Sequence, residues 1–169
     1  RTQGGASRHV GGANRTVIKL AQQLLSHPKT GLGECEVGQL VTVEHIYDLV
    51  RDNIDSTIRE KIDRLATEVE HPFAQPVAKA ICLLWFVKSI HRNAENIAAT
   101  LYPAVGGDSV RASVDQALQA LVAAHKIRLG DDGYRIPTPT EDDWETQRAA
   151  LKPKRADTNG ILRETMERL

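Results

Sequence analysis

The chain has 169 residues, of which 41% are hydrophobic, enough to bury a core in one domain or two small ones. Its 22 basic and 22 acidic side chains cancel, which removes the general charge signature of a nucleic-acid binder. Charge is nevertheless unevenly spread: residues 1–30 carry five Lys/Arg and no acid, residues 31–70 carry ten acids against four bases, and residues 108–136 hold four of each.

Residues 1–13 are basic and glycine-rich and read as a loop. Asn14 then offers a cap for a helix through about His27, with Val17, Leu20, Ala21, Leu24 and Leu25 on one side and Pro28 and Gly31 ending it. After a loop with Gly31, Gly33 and Gly38, Thr42 caps a second helix carrying Val43, Ile46, Tyr47, Leu49 and Val50, and Glu44 or His45 falls at the capping-box position. The spacing of Ile54, Ile58, Ile62, Leu65 and Val69 predicts a third, amphipathic helix that closes at His71 and Pro72.

The longest apolar run, Val77 to Ile90, predicts a buried helix with Val77, Ile81, Leu84, Val87 and Ile90 at helical spacing. Asn93 caps the next helix, which stops at Tyr102 and Pro103. Asp108 or Ser109 caps another, with Val110, Val114, Ala117, Leu118, Leu121 and Val122 on one stripe, fading near His125. Two β-prone runs, 126–129 and 134–136, flank Gly130, Asp131, Asp132 and Gly133, which is hairpin chemistry. Helix, helix, helix, hairpin is the order of a winged helix. Beyond it, Thr140 is expected to cap a helix anchored by Trp144, and a last helix is expected from about Thr158 to Leu169.

The expected fold is therefore mainly α: a helical lid-like subdomain over 1–72, a winged helix over 73–137, and a helical extension over 138–169. Cys35 and Cys82 lie in neither a CxxC motif nor a Cys/His cluster, which fits free thiols in a cytoplasmic protein and no metal. Lys79 and Lys88 interrupt the longest apolar run, so no membrane span is expected. The chain begins at Arg1 and its only methionine is Met166, which is expected of a piece cut from a longer protein.

Candidate sites are few. Arg15, placed in the first turn of a helix where free amides and the helix dipole favour anions, and Arg8 nearby are the candidates for touching a nucleotide phosphate supplied by another domain. Arg111 and Gln116 on the third helix of the winged unit, with Arg128 and Arg135 on the hairpin, are the candidates for DNA contact. Asp115 and the tip residues Asp131 and Asp132 oppose it, since they would face phosphates. The histidines have no metal spacing, and no nucleophile and base stand in a recognisable arrangement, so no catalytic residue is assigned.

Residues 4–16 (GGASRHVGGANRT) and 38–47 (GQLVTVEHIY) resemble a segment of the large P-loop ATPases of BREX phage-defence systems, the PglY/BrxC type. The similarity continues through 80–90 (AICLLWFVKSI), 93–98 (NAENIA) and 133–144 (GYRIPTPTEDDW), covering roughly residues 4–148. The resemblance implies a segment that follows an AAA+-like core, without Walker motifs and so without ATP hydrolysis of its own. ATP and Mg²⁺ would belong to the parent protein, residues 14–70 to the ATPase lid, and Arg15 to the place of a phosphate-sensing arginine. It implies as partners the ATPase core of the same polypeptide and other defence-system subunits, with DNA less well supported. The alternative reading is a winged-helix DNA-binding transcriptional regulator whose N-terminal helices dimerise.

Overall fold

The computed structural model describes residues 7–27, 30–151 and 165–166. The described residues are mainly helical, with seven α-helices and one two-stranded antiparallel sheet. The chain divides into two compact units, Arg1–Ile136 and Pro137–Leu169. No helix among the described residues is long and apolar enough to cross a membrane.

Helix α1 spans Ser7–Ser26, so the stretch read as a loop is helical from Ser7 and Asn14 lies inside the helix rather than at its cap. Glycine costs about 1 kcal/mol relative to alanine in a helix but does not block it as proline does. No proline occurs between Ser7 and Ser26, so Gly11 and Gly12 weaken the helix without stopping it. Beyond its end, the Thr30 hydroxyl donates to the carbonyls of Leu24 (2.7 Å) and His27 (3.0 Å).

Helix α2 (Val43–Val50) opens with the expected box: the Thr42 amide donates to His45 Nδ1 at 3.1 Å, so an imidazole does the work usually given to Glu or Gln. Asp55 caps α3 (Ser56–Glu68), accepting from the Thr57 amide at 2.9 Å, and Asn93 caps α5 (Ala94–Thr100), accepting from the Asn96 amide at 2.8 Å. Helix α6 (Arg111–Ala123) starts one or two residues later than its sequence predicts, with Val110 at the cap. Ser109 still satisfies an end amide, its Oγ accepting from Arg111 N–H at 3.3 Å.

Between α4, which covers Ala74–Leu84, and α5 the long apolar run meets its limit. Helix α4 does not continue to Ile90 as predicted. The amides of Phe86 and Val87 bond three residues back, to Leu83 and Leu84, which tightens the turn. Trp85, Phe86, Val87 and Ile90 consequently stand exposed instead of lining the core.

One core fills the first unit. Tyr47, Ile62, Val77, Ile81, Ile97, Val114, Leu121 and Ile127 are its largest fully buried side chains. These come from both sides of residue 72, so the expected subdomain boundary there is crossed by continuous packing. The link is reinforced by main chain: Leu40 N–H donates to Pro103 carbonyl and Val105 N–H to Gly38 carbonyl, both at 2.8 Å, joining the approach to α2 with the α5–α6 loop.

Strands β1 (Arg128–Gly130) and β2 (Gly133–Arg135) form the expected hairpin, in register Arg128 to Arg135, Leu129 to Tyr134 and Gly130 to Gly133. A third segment joins it. Arg92 bridges Gly133 in parallel, its amide donating to Asp132 carbonyl (3.0 Å) and its carbonyl accepting from Tyr134 N–H (2.9 Å).

In the second unit, α7 spans Pro139–Ala150 and is capped by Thr138 rather than Thr140. Proline at the first helical position and Glu141 at the third make Thr138 the better cap. The Thr138 amide donates to Glu141 Oε2 at 2.9 Å. Of the predicted last helix, only Thr165 and Met166 are described, and both are helical; the rest lies outside the described residues.

Candidate nucleic-acid interface

Helix α6 buries Val114, Ala117, Leu118 and Leu121, which turns Arg111, Gln116 and Gln119 outward. Arg111 is exposed but already paired with an acid. Its Nε donates to both carboxylate oxygens of Asp115, at 3.1 and 3.0 Å, one helical turn on. Pairs at this spacing contribute a few tenths of a kcal/mol to a helix. Here the pair also sets a carboxylate against the guanidinium, which offsets the charge that DNA phosphates would draw on. Arg111 borders a shallow cavity of about 210 Å³ shared with Glu95 and Tyr102, so the surroundings carry another acid.

The hairpin brings Arg128 and Arg135 together. They are directly opposed in the antiparallel register and therefore project from the same face, with Leu129 and Tyr134 on the other. Both arginines are half-buried, and each is already engaged with a neighbour. The tip that joins the strands is Asp131 and Asp132, both exposed. Four residues singled out for DNA contact thus sit on two elements: Gln116 exposed, Arg111 tied to Asp115, and two arginines beside an acidic tip.

Arg15 is exposed on α1, but as the ninth residue of that helix, not in its first turn. Its amide is inside the helical ladder, so the free N–H groups that made the position attractive for a phosphate are not there. The backbone of Arg8 is in the first turn of α1, and its side chain lies outside the described ones.

Two buried cations escaped the sequence reading. Lys79, on α4, is buried and its Nζ lies 3.1 Å from Glu44 Oε1 and 3.0 Å from Asp48 Oδ1, both on α2, and 5.6 Å from the centre of the Tyr47 ring. Its signal was available: Glu44 and Asp48 are four apart and share a helix face. Arg92 is buried beside the hairpin, its Nε donating to Tyr134 carbonyl at 2.9 Å and its guanidinium stacked 4.7 Å from the Trp85 ring. Nothing in its local sequence marks it, because its hydrogen-bond partner Tyr134 is 42 residues on.

Beneath Lys79 lies a perturbed group of the core. Burial, with Cys82 and nearby carboxylates adding to it, pushes the Tyr47 phenol up to about 12, and its hydroxyl has no hydrogen-bond partner among the described residues. Burial alone pushes the Cys82 thiol up to about 11, which keeps it protonated and unreactive. Cys35 is exposed.

No protein-family model, no curated protein and no solved structure matches the chain.

Proposed function

We propose that the chain is a non-catalytic segment of a bacterial phage-defence P-loop ATPase of the PglY/BrxC type, a helical lid joined to a winged helix that works through protein contacts. The winged helix is α4, α5 and α6 followed by the hairpin, with Arg92 as the short strand that completes the wing's sheet. The lid is α1 to α3, of which α2 and α3 are fused to it by the shared core. Support for the family comes from the order of the sequence motifs. In this reading the ATPase core of the same polypeptide is the first partner, other defence-system subunits the second, and ATP with Mg²⁺ stays in the parent's core.

The observation that carries the protein-facing role is the Arg111–Asp115 ion pair on the helix that would enter a groove. Pairing the one arginine at the start of α6 with an acid, beside a wing tipped by Asp131 and Asp132, argues against a DNA reader. A labelled generic DNA duplex titrated across a salt series is the test, with Arg111→Ala and Arg128→Ala alongside. The expected result is no binding tighter than the millimolar range and no dependence on either arginine. Micromolar binding that falls steeply with salt, by roughly one power of salt per phosphate contacted, and that is lost in the variants would overturn this reading. It would favour the winged-helix transcriptional regulator.

A further inference from the structure

We infer that the cavity beside Arg92 is a docking site for an acidic protein segment, one carboxylate paired with Arg92 and Lys88 and an adjacent large apolar side chain seated on Trp85 and Ile90. The inference rests on the protein-facing reading above and names the chemistry of the partner.

The unusual feature is Arg92 itself. A buried guanidinium ordinarily has a carboxylate, because an uncompensated charge in the interior is costly. Lys79, buried to the same degree at 7% exposure, has two. Arg92 has only the Tyr134 carbonyl at its Nε and the face of Trp85, and among the described residues no carboxylate pairs with it. It borders a cavity of about 320 Å³ together with Trp85, Lys88, Ile90, His91 and Asp132. With Nε occupied, the two terminal nitrogens remain, the edge that takes a carboxylate side-on.

The charge of the lining sets the occupant. Setting His91 aside, Lys88 and Arg92 against Asp132 leave one net positive charge, which matches a single carboxylate better than a phosphate chain. Apolar side chains of the lining stand out in solvent, Trp85 56% exposed and Ile90 39%, and the neighbouring Phe86 and Val87, outside the lining, are 69% and 39% exposed. Exposed aromatic and aliphatic side chains in one short stretch, beside an arginine, are the composition of a protein-binding patch. The cation over Trp85 also holds that ring in place before anything binds.

The test uses a fluorescein-labelled 12-residue peptide alternating Glu with Phe and Leu, followed by anisotropy and by Trp85 emission in a Trp144→Phe background. The same peptide with Gln for Glu, and a 12-nucleotide oligo(dT), run beside it. Saturable binding of the Glu peptide alone, weakened about tenfold or more by Lys88→Glu and tightened by Asp132→Asn, is the expected result. Both substituted residues are exposed, so folding is not at stake. Arg92→Lys, checked for folding by circular dichroism, keeps the charge and loses the fork, and should weaken binding as well. Equal binding of the Gln peptide, tighter binding of oligo(dT), or indifference to Lys88→Glu would each overturn the inference. Failure here is distinguishable from failure of the proposed function. Salt-steep duplex binding lost in Arg111→Ala would sink the latter while leaving the Trp85 response to the peptide intact.

Discussion

Lys79 and Arg92 mark two seams of the same unit that are fastened in opposite ways. At the α2–α4 seam, Lys79 meets Glu44 and Asp48 at 3.1 and 3.0 Å, so two helices are joined through side-chain charge. At the α4–hairpin seam, Arg92 is joined through its own main chain, to Asp132 carbonyl at 3.0 Å and from Tyr134 amide at 2.9 Å, while its charge goes unanswered by any described carboxylate. A seam made of side chains is sensitive to side-chain chemistry and indifferent to backbone freedom. A seam made of backbone has the reverse sensitivity, which leaves the Arg92 charge available for another use.

The largest effect should come from Gly133→Ala. Gly133 has φ of +98°, and a Cβ there would sit 2.5 Å from the Arg92 carbonyl oxygen, against main chain that cannot swing aside. Strain and the lost bridge together should cost about 3 kcal/mol, read as a lower urea midpoint at nearly unchanged slope. An unchanged midpoint would mean that the hairpin can slide away from Arg92 and that the second seam is not fixed by backbone.

Removing the two charges separately sharpens the contrast. Lys79→Met keeps the apolar stem but leaves Glu44 and Asp48, each about a third exposed, facing each other without a cation. The cost should be about 2 kcal/mol, lower than for a fully buried pair because water reaches the acids. Arg92→Met loses one hydrogen bond to a carbonyl and the contact with Trp85, and it also relieves an unpaired buried charge. Its cost should be about 1 kcal/mol or less. If Arg92→Met proves the more damaging of the two in the same urea series, the guanidinium is structural and the contrast is wrong.

The two seams also differed in how far the sequence could reveal them. Periodicity found the six α-helices of the first unit, although α1 buries only Leu24 of its expected stripe and leaves Val17 and Leu25 exposed, and Asn93, Thr42 and the glycine-flanked hairpin announced themselves by local chemistry. The α2–α4 seam was half legible, since Glu44 and Asp48 share a face, but their partner looked like an interruption of an apolar run. The second seam was hidden. Trp85 to Ile90 continues the helical pattern of α4, yet the helix ends at Leu84 and the chain goes on to set Arg92 alongside Gly133, a contact between residues far apart in the chain. The candidate site was less legible still: Arg111 and Asp115 are visible as a pair in the sequence, but the cavity over Arg92 depends on that late turn.

Alkaline titration probes the first seam from beneath. Because the folded state holds the Tyr47 phenol up to about 12 against 10.0 when unperturbed, the native protein keeps a proton that the unfolded chain gives up. Cys82, held up to about 11 against 9.0, behaves the same way. Stability is then full below about pH 9 and falls as pH climbs to about 12, the native state binding more protons throughout that window. Tyr47→Phe should remove the part of the fall above pH 10. It should also raise stability at neutral pH by about 1 kcal/mol, because the hydroxyl is buried with no partner among the described residues. A loss at neutral pH would mean that the hydroxyl has a partner, such as a bound water.

The smallest effect expected is a gain, at the other end of the hairpin. His125 is the only non-glycine residue with positive φ among those described, at 57°, and it closes α6. Its amide reaches Val122 carbonyl at 3.0 Å and the Lys126 amide reaches Leu121 carbonyl at 2.9 Å, the paired bonds of a Schellman end in which glycine is the usual residue. His125 is exposed, so little packing would be lost with its ring. His125→Gly should therefore add roughly 0.5 to 1 kcal/mol, the relief of the left-handed strain exceeding the added freedom of the unfolded chain. The sign discriminates. A gain says that the path from α6 into β1 is set by backbone geometry, as at Gly133, whereas a loss of similar size would say that the imidazole holds the turn and that this seam, too, is fastened by side chains.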